Sequence, residues 1–176
     1  MKEYRLFADI LDYPMPFLAD RVNELLPLVA VVGQEAARLL ERFREFIAET
    51  TPAKLEELYT GTFDLQPFCY PYAGYQLFGE EYRRGMFMAR LREYYRTNGF
   101  AAGDELPDHL CVILRFLSGR EVGEVEHELI TDCLVPALKK MEAGFAGVAN
   151  PYRGVLLSLI LLFGGGINGT DAAKEE

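Results

Sequence analysis

The sequence predicts an all-α protein: one compact domain built as a bundle of roughly eight to ten helices. Apolar residues recur at helical spacing along most of the chain, while strand-type alternation is scarce. Residue pairs of helix-start type, Thr51-Pro52 and Asn150-Pro151, and glycines of helix-stop type, Gly99 and Gly119, punctuate that pattern. Half of the 176 residues are hydrophobic, enough for one core, and no repeat or low-complexity linker divides the chain.

Taken in order, Tyr4 to Tyr13 forms a first helix that stops before Pro14. Pro16 to Val29 forms a second. In the third, Ala36, Leu39, Leu40, Phe43, Phe46 and Ile47 make one stripe, with Arg38, Glu41, Arg42 and Glu45 outside it. Thr51-Pro52 opens a fourth, with Leu55, Leu58, Tyr59 and Phe63 on one side. Residues 64–74 hold two prolines and a glycine among aromatics and read as an ordered, partly buried loop. A helix from about Gly79 to Asn98 places Phe87, Met88, Leu91 and Tyr95 on one face, and Arg92 and Arg96 suit its negative end. Asp104 to Pro107 opens the next, with Leu106, Leu110, Ile113, Leu114 and Leu117 as its buried stripe. Val122 to Phe145 is one long helix or a pair, bent or broken at Pro136. The stretch after Asn150-Pro151 is apolar nearly all round as far as Phe163 and should be the central helix. The expected domain is residues 1–163, and 164–176 is expected to be a flexible tail.

Composition narrows the function. The 18 basic against 27 acidic residues leave a net charge of −9, which argues against binding a phosphate backbone. That charge either keeps the protein soluble or attracts a basic partner. Cys69, Cys111 and Cys133 form no CxxC pair and read as free thiols of a reducing compartment. Charges at Lys2, Glu3, Arg5, Asp9 and Asp12 interrupt any signal-peptide core, and the apolar run Val155 to Phe163 is too short to cross a bilayer. A cytoplasmic protein with no stable membrane insertion is expected.

The search for chemistry returns little. There is no P-loop and no nucleophile elbow, and Gly164-Gly165-Gly166 follows a helix rather than a strand. His127 stands among Glu124, Glu126 and Glu128, but only Glu124 shares its helical face, so a solvated acidic surface is the simpler reading. No catalytic residue, metal or cofactor is expected. What remains is a binding module. Tyr59, Phe63, Phe68, Tyr70, Tyr72, Tyr75 and Phe78 either line a groove for an apolar helix or pack the core around an irregular loop, and the residues leave both readings open.

Four segments then carry a resemblance. Tyr59-Thr60-Gly61-Thr62-Phe63-Asp64 resembles the Y-x-x-T-F-D segment of the NarJ-type nitrate reductase assembly chaperones. Tyr75-Gln76-Leu77-Phe78-Gly79-Glu80 resembles their Y-x-x-L-F-G-E continuation, and Arg83-Arg84-Gly85 with Met88 and Leu91 their R-R-G-x-x-M-x-x-L helix. Glu105-Leu106-Pro107-Asp108-His109-Leu110 is similar to their E-L-P-D-H-L motif; the related TorD/DmsD branch has a shorter E-P-D-H there. Leu11-Asp12-Tyr13-Pro14 and Pro151-Tyr152 fit as well. The aromatic, proline-rich stretch from Gln66 to Tyr75 departs from the family, which leaves the client's identity open.

The resemblance implies an all-helical cytoplasmic chaperone, not an enzyme. Such a protein binds the immature catalytic subunit of a molybdenum-containing reductase, through its N-terminal leader or leader remnant, while the molybdenum cofactor is inserted and before membrane targeting. Cofactor-delivery proteins are admitted as further partners, nucleic acid is not, and the state is monomer or dimer. The alternatives are a chaperone for another molybdopterin reductase of the DMSO reductase family, a generic helical peptide-binding adaptor, or a small helical enzyme using Asp108-His109. The client-binding residues it points to are Tyr59, Phe63, Asp64, Tyr75, Phe78, Arg84, Glu105, Leu106, Pro107, Asp108 and His109. Asp108 is expected in the first turn of a helix, favoured as an anion by the helix dipole. Arg84 is expected to bind Asp64 or Glu105, and Gly79 and Gly85 to allow close helix approach.

Overall fold

A computed structural model describes residues 1–66 and 69–171, without the side chains of 166–171. The helices are α1 (Lys2–Ile10), α2 (Leu18–Ala30), α3 (Gln34–Ala48), α4 (Pro52–Tyr59), α5 (Ala73–Phe78), α6 (Tyr82–Thr97), α7 (Leu110–Ser118), α8 (Glu124–Glu128), α9 (Val135–Ala143) and α10 (Tyr152–Asp171). A π-helical turn, Thr60–Asp64, extends α4, and another, Leu129–Leu134, joins α8 to α9 in one continuous rod. Among the described residues the only extended pairing is a single antiparallel bridge between Tyr72 and His109. The all-α expectation holds.

Two apolar helices organise the packing. On α10, Val155, Leu156 and Leu159 are fully buried, as the all-round apolar pattern implied. On α7, Leu110 to Leu114, Phe116 and Leu117 are all buried. Helix α10 lies against α3 and α9, α3 against α2, and α1 bridges α2 and α7. Phe43, Tyr59, Phe63 and Tyr152 meet at ring-centroid distances of 5.0 to 6.1 Å. Each is almost wholly buried, so this cluster is core. The Tyr152 hydroxyl is buried there without a hydrogen-bond partner among the described residues. Stranding a hydroxyl costs about 1–3 kcal/mol. Tyr152→Phe is therefore expected to raise unfolding stability by about 1 kcal/mol; a lower urea midpoint in the variant would contradict it.

Several boundaries depart from the sequence reading. The stretch expected to be loop to residue 74 turns helical at Ala73, and α5 ends at Gly79, whose φ of 63° only glycine adopts readily. The following helix starts at Tyr82 rather than Gly79. The helix expected to open between Asp104 and Pro107 starts at Leu110, because Pro107-Asp108 form a turn closed by the His109 amide on the Leu106 carbonyl (3.0 Å) and His109 itself is bridged to Tyr72. Leu106, expected in the buried stripe, is 37% exposed. Pro136 does not break the rod: the preceding π turn resets the hydrogen-bond register, so the proline falls in the first turn of α9. Helix α10 runs past Phe163 to Asp171, and residues 172–176 of the expected tail lie outside the described residues.

Glu126 is no solvated carboxylate either. It is buried and accepts hydrogen bonds from Tyr94, from Arg120 (2.8 Å) and from the Gly123 amide (3.1 Å). Burial pushes its pKa up, but those donors prevail and hold it down at about 2. Among the described residues no helix is long and apolar enough to cross a membrane, and no group of His, Cys, Asp and Glu is arranged to hold a metal.

Candidate functional site

The fourth motif and the stretch just before the second are far apart in sequence and meet in space. Pro71 to Ala73 runs antiparallel to Asp108 to Leu110: the Ala73 amide donates to the Asp108 carbonyl at 2.7 Å, and the Leu110 amide to the Pro71 carbonyl at 2.7 Å. Helix α6 contributes Arg84. Its Nε donates to Asp108 Oδ2 at 2.8 Å and its Nη2 to Oδ1 at 3.4 Å, a two-pronged grip on a carboxylate with no exposed surface. The same guanidinium lies 5.4 Å from the Tyr72 ring centroid and 5.6 Å from that of Tyr75. Arg84 thus pairs with Asp108, and not with Asp64 or Glu105 as expected.

Gly74 makes this approach feasible. A Cβ on Gly74 would stand 2.7 Å from Asp108 Oδ2, 3.0 Å from the Phe87 ring and 3.2 Å from Arg84 Cγ. The glycines singled out from the sequence, Gly79 and Gly85, would meet nothing within 4 Å. Two further residues complete the frame. Tyr72 donates its hydroxyl to Glu105 Oε1 (3.2 Å), the oxygen that also accepts the Leu106 amide (2.8 Å), and Tyr95 donates to the Pro107 carbonyl at 2.9 Å. Burial, then the adjacent Glu105 charge, push the Tyr72 phenol up to about 12, so it stays a donor.

His109 is the N-cap of α7: its Nδ1 accepts the Cys111 amide at 3.2 Å, which requires a neutral ring protonated on Nε2. Burial lowers its pKa, against the pull of Glu105 and Asp12. Asp108 precedes the helix rather than sitting in its first turn, and its partner is the Arg84 guanidinium rather than the helix N-terminus. Neither residue offers a free proton acceptor, since each is occupied internally. Cys69 and Cys111 are buried, and burial pushes both thiols up, Cys69 to about 12, so neither is a nucleophile near neutral pH.

The residues expected at the site therefore separate into three groups. Tyr59 and Phe63 belong to the aromatic core, and Asp64 is exposed at the end of the π turn. Arg84, Pro107, Asp108 and His109 form a buried or half-buried frame. Tyr75 and Phe78 are half-buried, and Glu105 and Leu106 exposed; Tyr75 meets the frame through Arg84 and Glu105 through Tyr72. Phe78 stands edge-on to Phe87 at 5.9 Å and carries the Arg83 guanidinium 4.9 Å above its ring. Glu105 and Leu106 line one wall of an open cleft of about 370 Å³, whose other wall includes Arg92, Tyr95 and Phe100. A larger cavity, about 500 Å³, lies between α3 and the start of α10 and contains none of the expected residues. Sequence reasoning missed Gly74, Tyr72 and Tyr95 as parts of this frame. Only the Tyr72-Ala73-Gly74-Tyr75 run, a glycine between bulky rings, hinted at a close approach.

The comparisons fit this geometry. The nitrate reductase delta subunit family matches residues 31–156, which include every residue named above as frame or surface. A Bacillus subtilis (strain 168) protein, named as a probable nitrate reductase molybdenum cofactor assembly chaperone, NarJ, is 30% identical over 115 residues, 64% of this chain. The aligned part spans 62% of that relative's length. A crystal structure of a redox enzyme maturation protein from Archaeoglobus fulgidus shares the fold, with a TM-score of 0.60 and 24% identity over 91% of both chains. With its motifs joined through Arg84 and Asp108 and most of its length matched, the chain belongs to the nitrate reductase delta subunit family, that of the NarJ/TorD-type assembly chaperones.

Proposed function

We propose that this protein is a cytoplasmic chaperone without catalytic activity that binds the N-terminal segment of the immature catalytic subunit of a nitrate reductase-type molybdoenzyme. It holds that subunit while the molybdenum cofactor is inserted and before membrane targeting. The observation that supports this reading is the Arg84–Asp108 frame, whose charged groups are engaged with one another and beside which Tyr75 and Glu105 stand; Phe78 and Leu106 are assigned to the same surface. Half-buried aromatic side chains beside the exposed Leu106 suit an apolar segment, with Glu105 near them as a hydrogen-bond acceptor. Arg84, Pro107, Asp108 and His109 act by positioning. No turnover is needed. A partner that binds the incomplete subunit more tightly than the finished one shifts the population by differential affinity alone.

The test is a titration of a labelled N-terminal peptide from the catalytic subunit of a nitrate reductase-type molybdoenzyme. Phe78→Ala and Leu106→Ala are each expected to weaken binding about ten-fold, with folding intact by circular dichroism. Affinity unchanged in both variants would remove the surface assignment, and turnover by the purified protein would remove the chaperone reading.

A further inference from the structure

We propose that the outward face of α6 is a docking surface for an acidic amphipathic helix of a protein partner, a contact additional to the function proposed above. Only Leu91 and Tyr95 of its sixteen residues are buried, and Arg84, Phe87, Met88 and Tyr94 complete its inner side. On the opposite side Tyr82 is 84% and Met86 44% exposed, one turn apart. Gly85 and Ala89, both exposed, complete an i, i+3, i+4, i+7 stripe with them. A Cβ on Gly85 would meet nothing within 4 Å, so the stripe is shallow and open.

Charge identifies the occupant. The chain carries −9 overall, yet α6 holds five arginines against one glutamate. Arg83 and Arg90 flank the stripe on one side and Arg92 on the other, while Glu93 is taken by Arg96 at 2.6 Å. Arg90 and Arg92 have no acidic partner among the described residues. A helix whose apolar residues, spaced i and i+4, seat over Gly85 and Ala89 between Tyr82 and Met86 would bring its flanking carboxylates to these guanidiniums, which grip such groups two-pronged. A second copy offering the same face would oppose arginine to arginine. Two large apolar side chains on an acidic body make a poor anchor for an anionic bilayer, and the acidic body likewise disfavours nucleic acid.

The experiment uses the full chain and a fluorescent designed helix of about 18 residues, or five turns, with leucines on one face and glutamates elsewhere. The same pattern with lysines for glutamates is the control, and vesicles of phosphatidylcholine and phosphatidylglycerol are the third probe. The acidic helix is expected to bind about ten-fold tighter than the basic one. Raising salt to about 0.5 M should weaken it. Arg90→Glu should weaken it about ten-fold, and Tyr82→Ser with Met86→Ser several-fold, without altering the melting temperature. These exposed residues lie outside the surface of Tyr75, Phe78, Glu105 and Leu106, so loss of the acidic helix with retained reductase-peptide binding separates the two proposals. Equal affinity of Arg90→Glu and wild type for the acidic helix overturns the inference. So does preference for the vesicles, if Arg90→Glu abolishes it.

Discussion

Arg84→Ala is expected to lower the unfolding free energy by about 3 kcal/mol, among the largest effects of any single substitution at the site. Asp108 has no exposed side-chain surface and Arg84 is 18% exposed, so the pair is screened by little water. Removing the guanidinium deletes both of its hydrogen bonds and its contacts with the Tyr72 and Tyr75 rings. It also leaves a buried carboxylate uncompensated, which is the costly part. Arg84→Lys should recover only part of the loss, because one ammonium cannot span both carboxylate oxygens. Urea unfolding of Arg84→Ala, Asp108→Ala and the double variant measures the coupling. The double variant should be more stable than the sum of the single losses implies. Losses below about 1 kcal/mol in both single variants would show that the pair does not hold the two segments together. If the function proposed above holds, Arg84→Ala is also expected to weaken reductase-peptide binding by loosening Tyr75, which a titration of the variant checks.

Gly74→Ala sets two effects of opposite sign against each other. Gly74 lies inside α5, where helix propensity alone favours alanine by up to about 1 kcal/mol. The new methyl would, however, stand 2.7 Å from Asp108 Oδ2 and 3.0 Å from the Phe87 ring. Both neighbours are held: Asp108 by Arg84, and Phe87 by packing against the core. Overpacking of that kind costs about 1–3 kcal/mol, so the clash wins and a net destabilisation of about 2 kcal/mol is expected. Gly85→Ala is the matched control. It is helical, exposed and free of neighbours within 4 Å, so propensity should act alone and stabilise by up to about 1 kcal/mol. Calorimetric melting temperatures should therefore move in opposite directions; a rise in both would mean that the Gly74 contact relaxes at no cost.

The two glycines also mark how far the site was legible in the sequence. Gly79 and Gly85 sit in helix-like patterns and invite a close-approach reading, yet Gly79 only terminates α5 and Gly85 faces open space. The approach occurs at Gly74, and its partner stands more than thirty residues further on. The motif around Asp108 was visible, but its role was not. A residue pattern places Asp108 near a helix start, whereas it lies in the turn before α7, with its carbonyl bonded to the Ala73 amide and its carboxylate to Arg84. Tyr59 and Phe63 illustrate the opposite limit. An aromatic at helical spacing packs inward or lines a groove with the same local pattern, and only the positions of Phe43 and Tyr152 assign both to the core.

By itself the sequence determined the helical class, the apolar all-round character of α10, the helix start at Pro52 and, to within one residue, that after Asn150-Pro151, and the motifs that mark the family. These rest on spacing within a few turns, where periodicity, caps and the fixed φ of proline act locally. The tertiary structure alone decided which charges pair, which glycine is crowded, and which aromatics face the core. Each of those depends on residues from separate helices meeting where water is excluded, and a one-dimensional pattern carries no distance between helices.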